Sequence, residues 1–247
     1  IMTVYYHGTE ARHLYSIMTE GFRLGEVRHG RVNGNGLYVA TKPETVTYYA
    51  PRSYISDKSY AVKCRLQEGT RILWKDPDYC RKTIRYLKRE FSKHIVGFDF
   101  WKYIPKNKHL TPMELSALLS HLDDMRFISW SRNFSYGKRE RLEDKRYKNL
   151  SRLGKIIRNY GYDALGDRTG RHWDADEIMV FNPSRVIPVS AHALNVDWDE
   201  DYEPLNVHFS KPFSLDELKS LSQQDQQDWD DYLKQYDKEM EEEGEKS

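Results

Sequence analysis

Three short segments of this 247-residue chain set polar, reactive side chains beside apolar, strand-forming runs. His7-Gly8-Thr9 follows the β-prone run 3–6. The glycine admits a ligand close to the backbone, and the flanking histidine and threonine supply hydrogen-bond donors. Gly34-Asn35-Gly36-Leu37-Tyr38 joins a turn dipeptide to a strand, with Tyr48 and Tyr49 on the segment after it. Asp174-Ala175-Asp176-Glu177 runs straight into Ile178-Met179-Val180-Phe181. Carboxylates crowded at the mouth of a buried strand repel and raise one another's pKa values, which proteins tolerate mainly at binding sites. Taken singly, each segment also has an ordinary explanation: a strand ending in a turn, a hairpin with core tyrosines, an acidic loop.

Together and in this order the segments resemble the His-Tyr-Glu signature of the ADP-ribosyltransferases, the superfamily of the poly(ADP-ribose) polymerase catalytic domains and diphtheria toxin. Those enzymes open with a strand and His-Gly-Ser/Thr, pass through a helix ending Ile-x-x-x-Gly-Leu/Phe-Arg, and continue with Gly-Ile/Leu-Tyr-Phe/Val-Ala. This chain has His7-Gly8-Thr9, then Ile17-Met18-Thr19-Glu20-Gly21-Phe22-Arg23, then Gly36-Leu37-Tyr38-Val39-Ala40, with Tyr49 eleven residues after Tyr38. The resemblance covers about the first 65 residues and about 150–190.

It implies that NAD⁺ is the donor. His7 would bond the adenosine ribose, Gly8 would offer its backbone to the nicotinamide carboxamide, Thr9 would lie near a ribose, and Arg23 near the adenosine or pyrophosphate. Tyr38 and Tyr49 would sandwich the nicotinamide ring. Glu177 would hold the 2′-hydroxyl of the nicotinamide ribose. The catalytic residues would be His7, Tyr38 and Glu177, and the loop 26–35, with Arg28 and Arg31, would cover the phosphates. One departure is Val46, where the family often has a carboxamide-binding serine; Thr45 or Thr47 would have to substitute. Cleavage of the nicotinamide–ribose bond passes through an oxocarbenium-like state, which a carboxylate stabilises and aromatic faces position. No metal is expected, because the histidines lack ligand spacing.

The acceptor is less constrained. Arginine-modifying relatives usually carry Glu-x-Glu, but Ala175 stands two residues before Glu177. His172 and Trp173, just upstream, can meet an acceptor, or Trp173 can pack on the sheet edge. Residues 71–170 carry 23 Lys/Arg against 12 Asp/Glu, and residues 191–247 carry 5 against 17. Arg81, Lys82, Arg85, Lys88 and Arg89 are interleaved with Tyr86, and a second basic group spans 138–152. A charge run is usually a solvated face. Cations with aromatics among them also suit a groove for single-stranded nucleic acid. The expected protein is a mono-ADP-ribosyltransferase, a toxin or phage-related effector, acting on RNA or DNA. Protein modification, NAD⁺ hydrolysis and an inactive NAD⁺- or ADP-ribose-binding module are the alternatives. The acidic C-terminal segment is expected to bind a basic partner or an antitoxin, or to shield the basic groove.

These residues need a scaffold. Strands are expected at 3–6, 36–40, 60–66, 72–74 and 177–181, with an edge strand at 186–189. The strand at 60–66 alternates as if half-buried. Helices are expected at 13–19, stopped by Gly21; after Thr41-Lys42-Pro43; at 78–93; from Thr111; at 150–160, closed by Gly161; and beyond Ser214. Strands and helices mix without strict alternation, so the class is α+β. The resemblance implies split, mostly antiparallel sheets with flanking helices. The catalytic domain is expected to span 1–213 with a basic, mainly helical insertion at about 78–148. An acidic helical or mobile tail is expected at 214–247. Two cysteines without CxxC spacing, no apolar run long enough for a membrane, and no signal-like start make a cytoplasmic setting the expectation.

Overall fold

The computed structural model describes residues 3–24, 36–47, 59–75, 111, 154–155, 157–167, 176–198 and 204–244. The class is α+β, with eight strands among the described residues that mix parallel and antiparallel pairing. The chain divides into two compact units. One contains residues 1–23, 39–66 and 186–247, the other 24–38 and 67–185.

In the first unit the strands are β1 (Tyr5–Thr9), β3 (Ser59–Leu66), β7 (Val186–Trp198) and β8 (Pro204–Phe209), joined by the end of β2 (Leu37–Ala40). They lie in the order β2-β1-β3-β7-β8, and every pairing is antiparallel. The 60–66 strand is buried on both faces at Tyr60, Ala61 and Val62, and alternates beyond them, with Lys63 half-buried, Cys64 inside and Arg65 exposed. Its first residues are paired by β1 on one edge and by β7 on the other. β7 runs on past the expected edge strand at 186–189 to Trp198: residues 186–188 pair with β3, and β8 pairs with the far part of β7, 194–198, where β8 takes the edge.

Helix α1 (Ala11–Glu20) buries Ala11, Leu14 and Ile17, the i, i+3, i+6 face that the sequence displays. Gly21 ends it at φ 84°, donating its N–H to the Ile17 carbonyl, a left-handed cap that favours glycine. Helix α3 (Leu215–Gly244) begins with a reciprocal box. The Ser214 N–H and hydroxyl both donate to the Glu217 carboxylate, and the Glu217 N–H donates to the Ser214 hydroxyl. Those bonds hold the Glu217 carboxyl below its ordinary range. Leu218 and Ser222 are buried on α1, where the Ser222 hydroxyl donates to the Ala11 carbonyl at 2.7 Å. Glu10 gives α1 no side-chain cap; Asp225 of α3 takes the Arg12 N–H instead, at 2.9 Å. An orphan helix-end donor is thus satisfied from 213 residues away.

In the second unit β4 (Ile72–Lys75), β5 (Ala164–Asp167) and β6 (Glu177–Val180) run beside the start of β2 in the order β4-β5-β6-β2. β4 and β5 are parallel, β5 and β6 antiparallel. Asp163 clasps their entrances. Its carboxylate accepts the Arg71 N–H at 3.0 Å and Arg185 Nε at 3.2 Å, and its carbonyl accepts the Phe181 N–H. Ile157, from the helical residues 157–159, is fully buried.

Candidate active site

β1 carries His7, Gly8 and Thr9 within the strand rather than after it. Their register partners in β3 are Val62, Ala61 and Tyr60. β3 is long enough to pair all five β1 residues, so the ladder extends past the run 3–6 whose propensity announced it. Strand alternation puts His7 and Thr9 on the face opposite Tyr6. Tyr6 packs against the core cluster of Ala40, Val46, Ala61 and Leu194 and stacks on Phe209 at 5.4 Å. Burial and the Glu44 carboxylate push its phenol pKa up. His7 meets the edge of Phe22, just past α1, with ring centroids 5.2 Å apart. Thr9 is buried. Arg23 is 78% exposed and pairs with Glu20 at 2.7 Å, on the last turn of α1. Exposure leaves it free to exchange that weak surface pair for an anion.

Val46 has a physical explanation. Its side chain belongs to the core cluster, so no ligand contact falls to it. The two threonines beside it differ. In α2 (Pro43–Thr47) the Thr47 hydroxyl donates to the Glu44 carbonyl at 2.7 Å. The Thr45 hydroxyl is completely buried and, among the described residues, has no hydrogen-bond partner. An unpaired buried hydroxyl costs about 1–3 kcal/mol. The Thr47 hydroxyl is thus committed to the backbone, and the Thr45 hydroxyl lies in the interior.

Tyr38 lies in β2 between buried Leu37 and Val39 and is itself half-buried. Its strand approaches β6 closely. A side chain at Gly36 would place Cβ 2.5 Å from Met179 Cγ and 2.9 Å from the Val180 carbonyl oxygen, so only glycine fits. Glu177 opens β6 as its half-buried first residue, followed by buried Ile178, Met179 and Val180. The apolar run anchors the strand and leaves the carboxylate at its mouth. Directly opposite Glu177 in the β5–β6 ladder is Asp167.

Asp167 was not singled out as a site residue on sequence grounds, and Thr45 was offered only as one of two replacements for the missing serine. Asp167 ends the run Ala164-Leu165-Gly166-Asp167, and pairing that run with 177–180 as a hairpin would have brought it to Glu177. No sequence signal marks Thr45 as unbonded, because that depends on what surrounds it.

Tyr49, His172, Trp173, Arg81, Lys82, Arg85, Lys88 and Arg89 lie outside the described residues, as do the loop 26–35 and nearly all of the expected 78–148 insertion. Among the described residues, no group of three His, Cys, Asp or Glu side chains is placed to hold a metal, and no helix is long and apolar enough to cross a membrane. His192 is a buried histidine with a structural explanation. Its Nδ1–H donates to the Ser210 carbonyl and its Nε2 accepts from the Ser190 hydroxyl, both at 2.8 Å. Burial lowers its pKa, helped by Lys63 and opposed by the Ser210 bond. Cys64 is free and buried, and burial pushes its thiol up to about 12, which removes it from nucleophilic chemistry near neutral pH. No family model, curated protein or solved structure matches this chain.

Proposed function

We propose that the protein is an NAD⁺-dependent mono-ADP-ribosyltransferase of the His-Tyr-Glu type. The observation that carries the reading is the distribution of the three signature residues. His7, Tyr38 and Glu177 fall on β1, β2 and β6. Tyr38 and Glu177 belong to the second unit, on the neighbouring strands β2 and β6, and His7 belongs to the first, on β1. The adjacency of the Tyr38 and Glu177 strands supports the reading.

In this reading NAD⁺ enters with its adenosine ribose at His7 and its nicotinamide at Tyr38, with Tyr49 as the second ring. The nicotinamide–ribose bond breaks with both electrons leaving on nicotinamide. Glu177 holds the 2′-hydroxyl and stabilises the cation left on the ribose. An acceptor nucleophile then bonds to C1′ and gives up its proton. The basic segment 71–170 favours nucleic acid as acceptor, through phosphate contacts and stacking on aromatic rings.

The test is incubation of the full chain with NAD⁺ labelled in its adenylate, together with cell lysate. Nicotinamide release with label on a macromolecule is the expected result, and nuclease rather than protease should free that label. Label that resists nuclease and yields to protease would make protein the acceptor. Nicotinamide release without any labelled macromolecule would make water the acceptor.

A further inference from the structure

Helix α3 is about 45 Å long at 1.5 Å per residue, and α1 is about 15 Å. The first half of α3 carries the bonds to α1. Leu218, Ser222, Asp225 and Trp229 form one stripe facing α1, ending where the Arg12 guanidinium lies 4.2 Å over the Trp229 ring, beside the N-terminus of α1. The stripe does not end there. Leu233, Tyr236 and Met240 continue it at intervals of four, three and four residues from Trp229, the spacing of a coiled-coil seam. They are 40%, 49% and 52% exposed, on a helix whose other faces are strongly polar. Trp229, Tyr232 and Tyr236 stack in sequence along it, with centroids 5.7 and 6.4 Å apart.

The charges around the seam are sorted. By helical spacing Asp230 and Asp237 border it on one side, Asp228 and Glu239 on the other. Gln226, Gln224 and Gln235 donate to Asp230, Asp228 and Glu239 respectively, and amides leave the negative charge in place. Lys234 points away from the seam and pairs with Asp231. A second copy of this helix would set carboxylates against carboxylates along both edges, which disfavours self-pairing.

We propose that the projecting half of α3 is a docking site for a partner protein's amphipathic helix, one whose apolar seam is bordered on both sides by lysine or arginine. Leu233, Tyr236 and Met240 supply the apolar contact, and the four flanking carboxylates select the partner's charge. The site extends a face that is already an interface within this chain, and it is independent of the enzymatic reading.

The probes are three synthetic peptides of about four heptads, long enough for stable pairing. One has a leucine seam bordered by lysines, one the same seam bordered by glutamates, and one the lysine peptide's composition in scrambled order. The full chain is expected to bind the first and neither of the others. Joint Leu233→Ser and Met240→Ser substitution should weaken that binding tenfold or more, with helicity and thermal midpoint unchanged. Joint Asp228→Lys, Asp230→Lys, Asp237→Lys and Glu239→Lys substitution should switch preference to the glutamate peptide. Equal binding of the scrambled peptide would reduce the site to unspecific charge and overturn the proposal. So would undiminished binding by the serine variant. Sedimentation showing a dimer of the chain that the serine variant abolishes would assign the face to a second copy instead.

Discussion

The two units hold their share of the signature residues by different means. In the first, β3 and β7 pair over eight register positions, and β1 is laced to β3 along all five of its residues. His7 is therefore positioned by a backbone ladder, with α1 and α3 packed as a pair beside it. In the second, β4, β5 and β6 are four residues each. Their spacing depends on side-chain fit. Gly166 lies against the Trp74 ring, where a Cβ would come within 2.3 Å, and Gly36 lies against Met179 and Val180. A long ladder tolerates side-chain change because the backbone bonds persist. Short strands have fewer such bonds, and a local misfit can shift the carboxylate at the end.

Substitutions should separate the two regimes. The largest expected loss of stability is from Leu218→Ala, which empties a fully buried site between α3 and α1 and should cost about 2–5 kcal/mol in urea unfolding. Because that site only buttresses the ladder, NAD⁺ turnover per folded molecule should change little. Gly166→Ala should cost less stability, about 1–3 kcal/mol of overpacking, since the indole must move. Its effect on turnover should be the greater of the two, because a misplaced catalytic group loses rate steeply. If Leu218→Ala proves more damaging to turnover than Gly166→Ala, the contrast between the units is wrong. Asp225→Ala, which leaves the Arg12 N–H at the start of α1 without its cap, should cost about 0.5–2 kcal/mol in the same assay.

The smallest effect expected is one of pH. The His192 pKa is lowered in the folded protein, chiefly by burial. Below the ordinary histidine value of about 6.5 the unfolded chain binds a proton that the folded chain refuses. Its contribution is thus full above that value and is lost as pH falls towards the folded pKa. Urea midpoints measured down through that window should fall more for the wild type than for His192→Gln. Parallel profiles would remove His192 from the pH response.

The legible parts of the fold were those that local chemistry dictates. The α1 face at Leu14 and Ile17, its stop at Gly21, and the start of α3 after Ser214 all follow from residues within a few positions of one another, whereas the first two residues of α1, with buried Ala11, lay before the expected start at 13. Parts set by distant pairing were not legible. The length of β7 beyond 189 was not legible because the partner of its far part, β8, begins only at Pro204. The same limit applies to the site. Glu177 stood out because an acidic cluster meets an apolar run, whereas Asp167 opposite it needed the β5–β6 register. That Asp225 caps α1 could not have been read from either helix alone.

The central claim is that Glu177 stabilises the developing cation as NAD⁺ is cleaved. The most direct test is the rate of nicotinamide release by Glu177→Gln, which keeps the shape of the side chain and removes its charge, with the unfolding midpoint checked alongside. Loss of one such electrostatic contribution should slow release by about 10²–10³-fold while the fold is retained. A folded Glu177→Gln protein that releases nicotinamide at the wild-type rate would contradict the account.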